Sequence, residues 1–219
     1  VDAGRGAHVP PLLLYGPPGN GKTSWGRMIA DLMGAPLVEI DAGSGTSAFQ
    51  VAGVEKGWSS RSPGLPVSAI LEHRVANPVV VLNEICQAGG GMRSDRGTVS
   101  SMTAALLPLL ERRSAKDYRC PALGIRFDLS RVTWILTANT LDTIPNNLLS
   151  RLRRIAAPMP SPDDVREIVR ARVSEAGPEI AEEAAEMVAR EYARGRSTLR
   201  QVDALCERVL RSVRGPRLH

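Results

Sequence analysis

Short apolar runs alternate with helical spacing through the first two thirds of the chain, and only helical spacing follows. Residues 10–15, PPLLLY, form an unbroken apolar run that meets a Gly-Pro cluster, the mark of a central strand. KTSWGRMIADLMG, from Lys22, has helical spacing and stops at Gly34, a C-terminal glycine signal. LVEID, Leu37–Asp41, reads as a second strand, and a Gly/Ser-rich stretch then runs from 42 to 64. LPVSAILEHRVA is a helix, PVVVLNEI from Pro78 a third strand, and TVSSMTAALLPLLERR a further helix. RVTWILTAN from Arg131 is a fourth strand, and residues 154–157 give a short fifth.

Pro158, Pro160 and Pro162 break this alternation. Beyond them the spacing predicts helices over 163–175, 179–193 and 198–213. The last has Leu199, Val202, Leu205, Val209 and Val213 on one face, the stripe of a helix that packs. Strands alternating with helices predict an α/β fold, a doubly wound parallel five-stranded sheet. The tail predicts a small all-α lid. The division falls at residues 1–158 for the large subdomain and 159–219 for the lid.

Composition narrows the class. The 219 residues are 43% apolar and 23% charged, ordinary for a globular protein with a well-buried core. The net charge of +5 comes almost wholly from arginine, since Lys22, Lys56 and Lys116 are the only lysines. The arginines are scattered, which disfavours nucleic acid as a partner and fits solvated surface and subunit contacts. Cys86, Cys120 and Cys206 match no metal or redox spacing. They read as buried thiols of a reducing, cytoplasmic compartment. The apolar runs are strand-sized, too short to span a bilayer. The abrupt start without Met points to an excised fragment or to processing.

The first strand leads into GPPGNGKT, which satisfies G-x-x-x-x-G-K-[ST] over Gly16, Pro17, Pro18, Gly19, Asn20, Gly21, Lys22 and Thr23. Glycines let the backbone curl so that its N–H groups face phosphate oxygens, and the following helix adds its positive end. Lys22 would reach the β- and γ-phosphates of ATP, and the Thr23 hydroxyl would ligate Mg²⁺. Phosphoryl transfer also needs a group for the metal and one to orient water, placed at the carboxyl ends of neighbouring strands. Asn83 and Glu84 end the third strand there, and Asn139 ends the fourth.

On these residues the chain resembles the AAA+ ATPases, and within them the ATPase module of Lon-type proteases. GPPGNGKT matches Walker A, VVVLNEI Walker B and TANT sensor 1. The spacing of Gly53, Trp58 and Pro63–Gly64 is similar to Lon's first pore loop, and residues 127–152 follow the Lon run from the second pore loop to the arginine finger. The resemblance implies a homo-oligomeric ring, a hexamer, with ATP and Mg²⁺ at subunit interfaces. It implies Glu84, Asn139 and Arg151 as catalytic residues, Arg151 reaching the neighbour's γ-phosphate. It implies Trp58 as the pore aromatic that grips an extended polypeptide. Residues 112–126 would hold the second pore loop, though they are more basic than the family pattern. Sensor 2 maps less well. Ser197 stands at the expected position and reads as a helix N-cap, leaving Arg200, slightly favoured over Arg196, to point at nucleotide.

Asn83 departs from the family, in which an Asp holds Mg²⁺ through its water shell. An amide can accept from a metal-bound water but adds no charge, so the expectation is ATP binding with slowed hydrolysis. Whether Asn83 is natural or engineered stays open. Lon's peptidase uses a Ser-Lys pair, and no lysine follows Lys116, so proteolysis belongs to a segment or partner outside this chain. Three functions compete: a polypeptide unfoldase or translocase module, a nucleic-acid motor or loader, and an ATP-responsive interaction module without efficient hydrolysis. Trp58 between Gly57 and Ser59 favours the first.

Overall fold

The computed structural model describes residues 9–44, 46–54, 62–88, 92–93 and 99–214. It has two compact units: one of Lys22–Ala157 with the strand leading into Gly16, the other of Pro17–Gly21 and the segment from Pro158 onward.

The first unit runs β1 (Leu12–Tyr15), α1 (Lys22–Met33), β2 (Leu37–Asp41), α2 (Ser47–Ala52), α3 (Leu65–His73) and β3 (Val79–Asn83). After a single 3-10 turn, Ile85–Gln87, come β4 (Met92–Arg93), β5 (Val99–Ser100), α4 (Met102–Leu110) and α5 (Arg112–Ala115). It closes with β6 (Tyr118–Arg119), β7 (Arg126–Phe127), β8 (Thr133–Ala138), α6 (Asn146–Leu149) and β9 (Arg153–Ala156). Five strands make one sheet in the order β2-β3-β8-β1-β9, every neighbouring pair parallel. Two short hairpins, β4–β5 and β6–β7, stand apart from it.

The unbroken apolar runs are explained by burial on both faces of a parallel sheet. Leu14, Val79, Val81 and Ile135 pack with Ala30 of α1. Their strand neighbours Leu13, Val80, Leu82, Trp134 and Leu136 face the other way, against Val67 of α3 and Met102, Leu106 and Leu109 of α4. α1 approaches closely because position 26 has no side chain. A Cβ on Gly26 would lie 2.7 Å from Val81 Cγ2.

The structure corrects two expected helix boundaries. The helix expected from Thr98 starts only at Met102, because Val99–Ser100 pairs antiparallel with Met92–Arg93 and the Ser101 side chain caps the helix, accepting from Ala104 N at 3.1 Å. It ends at Leu110, two residues after Pro108, whose ring removes a helical N–H. A further helix, α2, lies inside the Gly/Ser-rich stretch. Ala48 and Val51 supply its buried side.

The second unit is all helix after Pro158: α7 (Pro162–Arg172), a 3-10 turn Ser174–Ala176, α8 (Pro178–Ala193) and α9 (Leu199–Arg214). Ser161 and Asp164 form a capping box at the start of α7, with Pro162 at the first helical position. Val165 and Val169 of α7, Ala181, Ala185 and Val188 of α8, and Val202 and Cys206 of α9 form its core. Leu199, Leu205 and Val209 pack against that core, whereas Val213 is 46% exposed and leaves the expected stripe near the helix end. Ser197 is not the cap of α9. Thr198 is, its hydroxyl accepting from Gln201 N at 3.4 Å while Gln201 Oε1 accepts from Thr198 N at 2.8 Å. A threonine followed three residues later by glutamine forms the reciprocal pair.

Gly26→Ala should destabilise the chain by about 1–3 kcal/mol through overpacking, measured by urea denaturation. Val81→Ala on that background should recover part of the loss, giving a non-additive double-mutant cycle.

Candidate active site

The strand order sets the site. β3, β8 and β1 are adjacent and parallel, so their carboxyl ends share one edge, where open α/β sheets bind ligands. Tyr15 pairs with Ala138, and Gly16 N donates to Ala138 O at 3.1 Å. Leu82 pairs with Leu136, so Asn83–Glu84 and Thr137–Asn139 emerge side by side.

Gly19 and Gly21 take φ values of 77° and 85°, and no heavy atom lies within 4 Å of the place a Cβ would occupy on either. The backbone is therefore curled and open at these two positions, as a phosphate cradle requires. Lys22 opens α1 and is only 9% exposed. Its Nζ donates to Gly16 O at 2.8 Å, folding the amine back toward the loop's first residue. Burial lowers the pKa of this amine from its ordinary value, opposed by Cys86 and Glu84. Thr23 Oγ1 donates to Asn83 Oδ1 at 2.8 Å. The hydroxyl and the amide oxygen expected to serve the metal are thus already side by side, an all-oxygen pair of the kind Mg²⁺ takes.

Glu84 departs from the strand into the left-handed region, φ 56° and ψ 45°. A non-glycine residue there is strained and persists only where its surroundings hold it. Its N–H donates to Thr137 Oγ1 at 3.1 Å, and Thr137 is buried on β8. Its carboxylate accepts from Gln87 Nε2 one turn on. Asn139 N donates to Cys86 Sγ at 3.4 Å, and Thr143 Oγ1 donates to Cys86 O at 2.8 Å. The turn after β3 is in this way tied to the segment after β8. Thr137, Cys86 and Gln87 were not foreseen as site neighbours. Thr137 opens the TANT stretch, and Cys86 and Gln87 follow VVVLNEI by one and two residues, but nothing in the sequence marks these three as site neighbours.

The remaining expected residues have surroundings of their own. Arg151 is half-buried just after α6, its Nη1 donating to Asn147 O at 2.6 Å. Arg200, in the first turn of α9, and Arg196, 3.6 Å from Glu191, are exposed residues of the second unit. Trp58 lies outside the described residues. On either side of it, Gly53 and Pro63 form an antiparallel bridge, and Val54 N donates to Ser62 O at 2.9 Å. In the stretch matched to the second pore loop, Tyr118 donates its hydroxyl to Ala52 O at 2.9 Å. Burial pushes that phenol up to about 12. The two stretches are therefore joined at their bases.

With this geometry in hand, comparison with known proteins is direct. The family model for the ATPase family associated with various cellular activities (AAA) matches residues 12–158, and the chain belongs to that family. It is similar to Lon proteases: 36% identical to that of Magnetococcus marinus over 144 residues, 66% of this chain and 17% of that protein. The Lon protease of Frankia alni is 33% identical over 223 residues, 97% of this chain and 24% of that protein. Lon protease 1 of Thermus thermophilus is 33% identical over 213 residues, 93% and 26% of the two chains. The chain thus spans about a quarter or less of the relatives it matches. Hsp104, in a closed-state cryo-EM reconstruction with ATPγS and FITC casein, superposes with a TM-score of 0.66 over 92% of this chain and 40% of that one. At 15% identity it bears on the fold alone. Among the described residues no helix is long and apolar enough to cross a membrane.

A buried amine with a depressed pKa costs stability while the folded state must keep it charged, and the cost fades as pH approaches the ordinary lysine value of 10.5. Lys22→Met should therefore raise the unfolding free energy of the nucleotide-free chain at neutral pH. The difference from wild type should shrink as pH rises toward 10.5, measured by urea denaturation across that range.

Proposed function

We propose that this chain is an ATP- and Mg²⁺-dependent ATPase module that works in a homo-oligomeric ring, hexameric by resemblance, and moves polypeptide through the ring's pore. One observation carries the reading: the Thr23–Asn83 hydrogen bond sits at the same sheet edge as buried Lys22 and left-handed Glu84. Bound ATP and Mg²⁺ supply the scissile phosphoanhydride and a Lewis acid. Everything else falls to the protein's own groups. The loop amides of Gly19, Asn20 and Gly21 and the Lys22 amine hold phosphate oxygens. Thr23 and Asn83 present oxygen to the metal. Glu84, freed from Gln87, orients water, and Asn139 holds the polar end of the site. Arg151 of one protomer would reach the site of the next, which makes turnover depend on assembly. Arg200, or Arg196 in its place, is the sensor from the helical unit. Trp58 is the group that grips substrate, and the antiparallel bridge between Gly53 and Pro63 brings the two ends of its segment together. The relatives named above are proteases. A peptidase on a longer chain or a partner fits the quarter-length match, and the working compartment is the cytoplasm.

Asn83 favours a second reading, an ATP-responsive interaction module that binds nucleotide and turns it over slowly. Asn83→Asp should raise single-turnover ATP hydrolysis about tenfold or more, because it returns a charge to the metal position. An unchanged rate would mean the carboxylate is not missed. Trp58→Ala should abolish stimulation of the ATPase by unfolded polypeptide while basal turnover persists. Stimulation by DNA or RNA with steep salt dependence would favour a nucleic-acid motor instead.

A further inference from the structure

The end of β2 presents a carboxylate that none of the motifs uses. Asp41 is the last residue of β2 and pairs in register with Asn83. Side chains alternate along a strand, so Leu37, Glu39 and Asp41 share one face while Ile40 points into the opposite core. The shared face is on α1's side of the sheet, where α1 packs on β3 and leaves these β2 residues exposed. Arg27 donates to both oxygens of Glu39, at 2.9 and 3.0 Å, and Thr23 donates to Asn83.

These two contacts fix the level of Asp41. Thr23 and Arg27 are four residues apart on α1, about 6 Å along the axis. Glu39 and Asp41 are two residues apart on β2, about 6.6 Å along the strand. The helix that sets Arg27 beside Glu39 therefore sets Thr23 level with Asp41. Registered residues on adjacent strands lie about 4.8 Å apart, which puts Asp41 next to Asn83 on the face that Thr23 meets. Asp41 is exposed, and its Oδ1 accepts from Gly43 N at 2.9 Å.

We propose that Asp41 supplies the negative charge that Asn83 lacks, so that the divalent cation is held by Thr23 and Asn83 and, through its water shell, by the Asp41 carboxylate. This rests on the nucleotide-binding reading above. Thr23 and Asn83 are neutral, and affinity for a hard cation follows the charge of its ligands. Mg²⁺ keeps several waters when bound, so a carboxylate one strand away acts through the water shell without direct ligation. The Glu84 carboxylate is engaged by Gln87, in a turn that leaves the strand. Asp41 carries its charge on the strand face itself. The competing account is that Asp41 only stabilises the turn through Gly43. Asp41→Asn keeps an amide oxygen for that hydrogen bond and removes only the charge.

The test is Mn²⁺ titration, followed by electron paramagnetic resonance, of the 219-residue chain with a fluorescent non-hydrolysable ATP analogue. Asp41→Asn should weaken Mn²⁺ binding about tenfold, and Asn83→Asp should tighten it by a similar factor. The double variant should return near wild type, since one carboxylate is moved by one strand. Unfolding by urea, measured without metal or nucleotide, should be alike for Asp41→Asn and wild type. Asp41→Asn that still binds the analogue and takes Mn²⁺ as wild type does would overturn the role of Asp41 alone. Wild type that fails to bind the analogue at all would overturn both this role and the nucleotide-binding reading.

Discussion

The hydrogen bond from the Thr23 hydroxyl to the Asn83 amide oxygen joins the first turn of α1 to the last residue of β3. It forms because the sheet places β3, β8 and β1 side by side with every carboxyl end on one edge, and because α1 starts at that edge. Gly26 then lets the helix lie close on Val81 one turn below. Close packing at Gly26 and the polar contact at Thr23 work on the same helix, so an error in one displaces the other. The site is in this sense an extension of the core cluster that Leu14, Ala30, Val79, Val81 and Ile135 build beneath it.

Electrostatics at this edge are spare. Lys22 is buried and its charge is disfavoured there, while β3 ends in an amide, Asn83. Glu84 and the neighbourhood of Cys86 favour the charged amine, and burial opposes them. A polyanion entering such a place meets a cation already poorly solvated, which strengthens the attraction relative to one made in water.

Much of the fold could be read from the residues alone, and the reasons differ by element. The β1, β3 and β8 runs were visible because strands buried on both faces must be apolar throughout. The phosphate loop was visible because its spacing has a mechanical cause. The α2 helix was hidden among glycines and serines, since six residues carry too little periodicity to register. The start of α4 was misread because the β4–β5 pairing of Val99–Ser100 is a contact across sequence, which local pattern does not encode. Ser197 reads as a cap one residue early, because Ser and Thr are equivalent in pattern and only the Gln201 side chain decides between them. The Glu84–Thr137 and Asn139–Cys86 contacts depend on strand register and were beyond reach of the sequence for the same reason.

Glu84 stands where the backbone alone would select glycine or asparagine. Glycine at this position would relieve the strain and keep the N–H that Thr137 accepts, so the side chain alone bears the cost of the turn.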